Sequence, residues 1–455
     1  MMNVKIPLID YASPAGKAYL EKLLSLRRRR DETVAAKVAQ VIAGIREKGD
    51  GALFAFTKQF DGVSLTAKTV LIPQSVIERQ AAKAPVNLQL AIREAAKRIR
   101  RYHREQHGCE FSLATPSATL RQIVRPLNRI AVYIPGGHAV YPSSVLMNVI
   151  PAQLAGVAEI VAVTPPRTVL DPGIAYALRL CGIGEVYRIG GAQAIAALAY
   201  GTKSILPVDK IVGPGNGWVQ AAKRLVYGIV DIDSIAGPSE VAIVADGSVD
   251  PSWVALDLLA QAEHGSGDEL AVCVTVDRAV AEKIAAATAA AIAASPVAEK
   301  FGRLPPHAIV IFTVQSREAA FDIVNMLAPE HLEILTATAE ADLQLVKNAA
   351  AIFLGPFTPV ALGDYFIGTN HVLPTGGAAR FSSPLGVESF LKRMSVATVS
   401  EKGLQAAAPH VSVFARAEGF VHHAMSVEKR AGTTKVKPSK AKSGRPGRSR
   451  RGTGQ

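Results

Sequence analysis

The stretch 235–267, IAGPSEVAIVADGSVDPSWVALDLLAQAEHGSG, decides the fold. Gly237-Pro238 makes a tight turn that presents Ser239. The apolar run Val241 to Ala245 is short and bounded, the pattern of a buried strand. Asp246-Gly247 turns the chain, and Asp250 then stands as a helix N-cap with Pro251 at the first helical position. Trp253, Leu256, Leu259 and Ala260 recur at helical spacing and predict one apolar face. Gln261 and His264, three apart, share a face of the last turn, and Gly265-Ser266-Gly267 stops the helix. Taken alone, a His at such a helix end is more often a cap favoured by the helix dipole than a ligand.

The same strand-then-helix rhythm extends outward in both directions. Upstream, strands are expected at 130–134, 159–163, 185–189 and 209–212, with helices near 142–155, 172–181, 192–200 and 216–226. A second series has strands near 240–245, 270–275 and 307–313, with helices near 250–264, 278–294 and 316–327. The fold class is therefore α/β: two successive Rossmann-like α/β units with parallel sheets, plus small N-terminal and C-terminal helical segments. Residues 1–30 read as an arm and helix ending in Arg27, Arg28, Arg29 and Arg30, a solvated helix end. A helix over 31–48 carries the stripe Val34, Val38, Val41, Ile42 and Ile45. Next come a short helix through Phe56 and a longer one from about 87 to 107. Segment 350–374 is irregular and rich in Gly and Pro; a strand near 395–399 and a helix over about 402–423 close the ordered part. The expected domains are 1–30; 31–132 with 241–385; 133–240; 386–428; and a disordered basic tail, 429–455.

Composition narrows the class. Of 455 residues, 49% are hydrophobic and 20% charged, enough for a large core and more than one domain. No apolar run reaches bilayer length, and the N-terminus lacks a signal-peptide pattern. Cys109, Cys181 and Cys273 are odd in number and form no CxxC, which points to a reducing, cytoplasmic setting and away from a cysteine metal site. The net charge of +13 comes mainly from the tail, where ten Lys or Arg stand with no acidic residue. Without it, 41 basic residues face 38 acidic ones, so a nucleic-acid partner is at most the tail's.

Glycine-rich turns follow the upstream strands: Tyr133-Ile-Pro-Gly-Gly, Gly190-Gly191-Ala-Gln193 and Gly213-Pro-Gly-Asn216. They fall at strand carboxyl ends, where open α/β sheets bind ligands, although none reads GxGxxG. Glu330-His331 pairs a carboxylate with an imidazole and suits general-base chemistry; an isolated pair of this kind is more often a surface turn. Asp364, Asn370 and His371 crowd an irregular stretch, and Glu418, His422 and His423 lie near the end. N and O donors from these regions could build a zinc site with an open position.

The segments AGPSEV, QAEH, APEHLEI, GDYFIGTNHVLPTGG, ARFSSPLGV and EGF with HHA resemble the histidinol dehydrogenase family. So do YIPGG, YPSSVLMNVIPA, GGAQAIAALAYGT, VGPGN and GDGALFAFTKQFDG, over roughly residues 30 to 427. The resemblance implies a zinc-dependent, NAD-linked oxidation of L-histidinol to L-histidine in two hydride transfers, by a homodimer with a shared active site. It implies one zinc per subunit on Gln261, His264, Asp364 and His423, the last from the other subunit. Ser239, His371 and Glu418 would hold the substrate, together with His331 and the zinc ligands. Tyr133, Gln193 and Asn216 would bind NAD, on the 133–240 domain. His331 would take the alcohol proton and Glu330 would activate water. The run 265–269 is more glycine-rich than the family pattern, Phe420 replaces the usual Leu, and the tail is extra. The alternative is a homologue oxidising another polar alcohol, such as a sulfonated diol.

Overall fold

The computed structural model describes residues 6–27, 32–136, 141–166, 169–235, 237–264 and 269–432. Arg28 to Arg30, the Gly265-Ser266-Gly267 turn and the tail beyond 432 lie outside the described residues.

In chain order the strands are β1 (Leu8–Asp10), β2 (Phe111–Ala114), β3 (Ala118–Pro126), β4 (Arg129–Tyr133), β5 (Glu159–Val163), β6 (Val186–Tyr187) and β7 (Lys210–Val212). They continue as β8 (Asp231–Ile232), β9 (Glu240–Ala245), β10 (Leu270–Thr275), β11 (Ile309–Thr313), β12 (His331–Leu335), β13 (Ala351–Leu354) and β14 (Leu391–Val399). Two sheets are parallel, in the orders β6-β5-β4-β7-β8 and β1-β11-β10-β9-β12-β13. A small third sheet has the order β14-β3-β2. The chain divides into two compact units. One comprises 1–108 and 126–392 and holds both parallel sheets; the other comprises 109–125 and the chain from 393.

The first unit departs from the expected division. Segment 31–132 is split: 109–125 falls in the second unit, and the rest packs its helices mainly on the five-stranded sheet. Its helix Glu32–Lys48 packs Val38, Val41, Ile42 and Ile45 against Ala131 and Tyr133 of β4 and Ile195. Ile77, Ile92 and Ile99 pack on the opposite face, against Ile130 and Val132. A parallel sheet must be covered on both sides, and these stripes supply part of the cover. Nor is the 1–30 arm separate: β1 pairs with β11, and Leu20 and Leu23 pack with Val272 of β10 and Phe312 of β11.

The deciding stretch folds as strand, turn and helix. All six residues of β9 are buried. Asp250 accepts the Ser252 N–H at 2.8 Å and caps the helix Pro251–Ala262. Its inner face, however, is Val254, Ala255, Leu258, Leu259, Gln261 and Ala262. Trp253 and Leu256 are 43% and 58% exposed and Ala260 is exposed too, so of the stripe expected from the sequence only Leu259 faces the core.

In the second unit the single helix expected over 402–423 is two, Glu401–Ala417 and Val421–Ala431. Gly419 breaks it with φ +82°, a conformation only glycine takes readily. Arg416 pairs with Glu428 at 2.9 Å to fold the two back on each other. The helix runs past 428 because Arg430 donates to the Ser426 carbonyl at 2.8 Å and its hydroxyl at 2.6 Å. Among the described residues no helix is long and apolar enough to cross a membrane.

Candidate functional site

The chemistry-bearing residues of the first unit gather at the amino edge of the six-stranded sheet. Glu330 leads into β12, which lies between β9 and β13 with His331 opposite Val241 and Ala351. The pair is therefore not a surface turn: the two residues are 6% and 5% exposed. The backbone of Glu240, at the start of β9, orients both. Its N–H donates to Glu330 Oε2 at 2.9 Å, and its carbonyl accepts from His331 Nδ1 at 3.1 Å. Glu330 Oε2 stands 3.7 Å from His331 Nδ1. Burial pushes Glu330 up to about 7, against the pull of the imidazole. Burial works the other way on His331, but the Glu330 and Asp364 carboxylates outweigh it and hold the ring up at about 9.

Asp364 comes from the short helix Val360–Tyr365 after β13, and its Oδ1 is 3.6 Å from His331 Nε2. Burial opposes its charge; His331, His371 and His264 outweigh burial and keep the carboxyl below its ordinary range. His371 Nδ1 donates to the Asp364 carbonyl at 2.9 Å, and burial lowers its pKa. His264 Nδ1 donates to the Gln261 carbonyl at 3.0 Å. A carbonyl can only accept, so His264, His331 and His371 all carry their neutral-state proton on Nδ1 and keep Nε2 as a base or ligand. Among the described residues, His331 Nε2 and the Gln261 side-chain amide nitrogen are buried without a hydrogen-bond partner. Ser239 is half-buried just before β9, where the Gly237 N–H donates to Thr375 Oγ1. Asn370 is structural rather than chemical. Its Nδ2 donates to the Met147 carbonyl at 2.7 Å and its Oδ1 accepts from the Val372 N–H at 2.8 Å.

Among the described residues no three His, Cys, Asp or Glu side chains converge as a metal cluster. Gln261, His264 and Asp364 nevertheless form a fitting partial set. The amide end of Gln261 is unsatisfied, His264 is anchored through Nδ1, and Asp364 is kept ionised. A fourth donor would complete the number zinc prefers. Glu418 and His423 belong to the second unit, where both are exposed. Glu418 caps the helix Glu401–Ala417, and His423 lies 5.2 Å from the Phe420 ring, centroid to centroid.

A second constellation occupies the carboxyl edge of the five-stranded sheet. Tyr133 ends β4, Gly190-Gly191 follow β6, and the Gly213–Asn216 turn follows β7. Tyr133 Oη accepts the Gly191 N–H at 3.1 Å, and burial pushes the phenol up to about 12. Gln193 donates to Asp61 Oδ2 at 3.0 Å. Asn216 caps the helix Gly217–Val226 by accepting from the Trp218 and Val219 amides at 3.1 and 3.2 Å. A cavity of about 300 Å³ opens on this edge, lined in part by Lys68, Arg79, Gly136, Thr164, Asp171 and Arg188.

Lys223 is a residue that sequence reasoning missed. It is fully buried, donates to the Gly213 carbonyl at 3.0 Å and pairs with Asp233, whose Oδ2 accepts the Gly213 N–H at 2.7 Å. Its position four residues after Val219, on the apolar face of the helix, was the available signal. Gly213 itself has φ +111°, and an added Cβ would lie 2.2 Å from the Tyr133 carbonyl oxygen. Gly213→Ala is expected to cost about 1–3 kcal/mol through backbone strain, and to weaken ligand binding at this turn. Thermal unfolding and dinucleotide titration check this; wild-type values in both would show that the turn tolerates a side chain.

The family model described as histidinol dehydrogenase matches residues 25–431. The chain is 44% identical to histidinol dehydrogenase of Pseudomonas fluorescens strain Pf-5 over 425 residues, covering 93% of this chain and 96% of that one. It is 46% identical to that of Bacillus thuringiensis subsp. konkukian over 406 residues, with 88% and 94% covered. The crystal structure of histidinol dehydrogenase from Elizabethkingia anophelis superposes with a TM-score of 0.87 at 34% identity, covering 94% of this chain and 99% of that one.

Proposed function

Because this chain belongs to the histidinol dehydrogenase family, we propose that it oxidises L-histidinol to L-histidine, through L-histidinal, by two successive hydride transfers to NAD. The observation that carries this reading is the buried Glu330–His331 pair, with the imidazole tautomer fixed by Glu240 and Nε2 turned to Asp364 Oδ1 at 3.6 Å.

In its neutral form, which the raised pKa of about 9 favours only toward alkaline pH, His331 Nε2 accepts the alcohol proton as hydride leaves the carbinol carbon. The aldehyde must then add water before it can give up a second hydride. Glu330 is a buried carboxyl held near 7, suited to take a proton from that water. Per histidinol, one water is consumed and two NADH are formed. Ser239, His371 and Glu418 hold the substrate. Gln261, His264, Asp364 and the partner subunit's His423 would hold one zinc per subunit. When bound, the metal supplies Lewis-acid polarisation and orientation of the substrate oxygen. NAD binds at the carboxyl edge of the five-stranded sheet, with Tyr133, Gln193 and Asn216. The Lys68, Arg79 and Arg188 cations on the adjoining cavity suit its phosphates.

A homodimer with shared sites is supported by the apolar exposure of the second unit's paired helices. Val413, Phe414, Phe420, Val421 and Met425 are all at least 49% exposed there. The three cysteines are unpaired, in keeping with a cytoplasmic enzyme of histidine biosynthesis.

The test is the yield of NADH from limiting L-histidinol with zinc-loaded protein and excess NAD. Two NADH per substrate are expected, lost on chelation and restored by zinc. A yield of one would place the end of the reaction at the aldehyde, and turnover indifferent to chelation would remove the metal from the reading.

A further inference from the structure

A buried acidic residue with no part in the mechanism above stands one layer beneath the site. Glu333 lies two residues beyond His331 on β12, on the same face of the strand, and is 0% exposed. Its Oε1 accepts the Val360 N–H at 2.8 Å. Its Oε2 meets no amide, hydroxyl or cation among the described residues. The group it does meet is the carboxyl of Asp257, on the helix Pro251–Ala262. Two bare carboxylates cannot hydrogen-bond, because neither has a proton to donate. A single proton between them turns the contact into a hydrogen bond and removes one buried charge.

The placement of the pair repeats across three elements. Asp257 precedes Gln261 by four residues, one helical turn on the same face. Val360 precedes Asp364 by the same interval. Glu333 precedes nothing in the site but follows His331 by one strand repeat. The carboxyl pair therefore joins, one layer down, the three elements that carry Gln261, His331 and Asp364.

We propose that Asp257 and Glu333 share one proton, and that this proton-bridged pair is a positioning device that fixes the spacing between Gln261, His331 and Asp364. Glu333 is the proton donor and Asp257 the acceptor, since Glu333 is the more deeply buried of the two. Burial, then the Asp257 charge, raises the Glu333 carboxyl above its ordinary range, which favours its neutral form. The other titratable groups that act on this pocket are His331 and the Cys273 thiol, the latter itself raised to about 12 by burial. The positioning half of the proposal rests on the proposed function; the shared proton does not.

The experiment uses the full-length, zinc-loaded protein. Infrared spectra of wild type and Glu333→Gln at neutral pH should differ by the carbonyl stretch of one neutral carboxylic acid, present only in wild type. Glu333→Gln keeps an acceptor for Val360 and gains a donor for Asp257, so its zinc content and kcat should stay near wild type. Glu333→Met fills the space without either bond, and should lose roughly 10–100-fold in zinc affinity or kcat. Asp257→Ala, at a half-buried and more tolerant position, should shift both readouts the same way if the methionine variant does not fold. Absence of the neutral-acid band overturns the shared proton. Equal losses in the Gln and Met variants overturn the positioning role. A wild type that shows the band but does not oxidise histidinol refutes the proposed function and leaves the shared proton standing.

Discussion

Replacing His331 by alanine is expected to lower kcat for histidinol by roughly 10³-fold, the scale of a lost general base, while zinc content stays unchanged. The size of the effect follows from how few substitutes the site offers. Nδ1 of the ring is committed to the Glu240 carbonyl at 3.1 Å, so the proposed chemistry falls on Nε2, whose neighbour is Asp364 Oδ1 at 3.6 Å. Glu330 cannot take over readily, because its Oε2 already accepts the Glu240 N–H at 2.9 Å. Loss of the imidazole also withdraws the one favourable charge that opposes burial most strongly at Glu330, so that carboxyl rises further and is less often ionised. One substitution thus weakens both proton acceptors. Metal analysis with steady-state rates on histidinol and on histidinal decides the matter. A variant that loses its zinc would make His331 a ligand, and one with near-normal kcat would require another group to accept the alcohol proton.

Much of the fold was legible because α/β units advertise themselves. Apolar runs such as Val241 to Ala245, bounded by Gly, Pro and Asp, correspond to strands with every residue buried. What failed has a common cause: periodicity registers apolar residues only. On the helix Pro251–Ala262 the inner face includes Gln261 and turns Asp257 inward toward Glu333, while Trp253 and Leu256 face out. The inner face is mostly apolar as well, with Val254, Ala255, Leu258, Leu259 and Ala262, so counting hydrophobic residues gives no sign of the Gln261 and Asp257 that share it. β12 hid for the same reason, since its sequence His331-Leu-Glu333-Ile-Leu puts two ionisable residues on one face of a fully buried strand. Lys223 is a third instance, a cation on an apolar stripe whose partner, Asp233, lies ten residues away, just after β8. The site's separate parts were visible as motifs. Their meeting depends on strand order, which places β12 next to β9 although His331 comes 86 positions after Ala245. Local pattern carries no information about that neighbour choice. The stripe of Glu32–Lys48 was legible too, but a stripe does not say which sheet it covers, here the five-stranded one.

Arg27→Met is expected to destabilise the protein by about 3–5 kcal/mol, the cost of stranding a buried charge, and to reduce turnover in the fraction that remains folded. Arg27 ends the helix Pro14–Arg27, outside every motif that points to the site. Its guanidinium nevertheless makes a bidentate contact with the Glu240 carboxylate and donates to the Leu327 carbonyl. The side chains of the pair are only 9% and 5% exposed. Without the arginine, the Glu240 carboxylate keeps one donor among the described residues, the Gly376 N–H at 3.2 Å, and remains buried. A loss of that size is a large part of the ~5–15 kcal/mol that holds a typical domain together. The consequence for catalysis comes through the same residue. Glu240 shifts to find water, and its own N–H and carbonyl are what orient Glu330 and His331. Adding Glu240→Gln to the methionine variant removes the stranded charge, so the double variant should be more stable than Arg27→Met alone, a coupling that a double-mutant cycle measures directly. Denaturant unfolding of wild type, both single variants and the double variant supplies it. Additive losses would mean that the ion pair is solvent-screened and that the N-terminal helix is held to β9 by Leu20 and Leu23 alone.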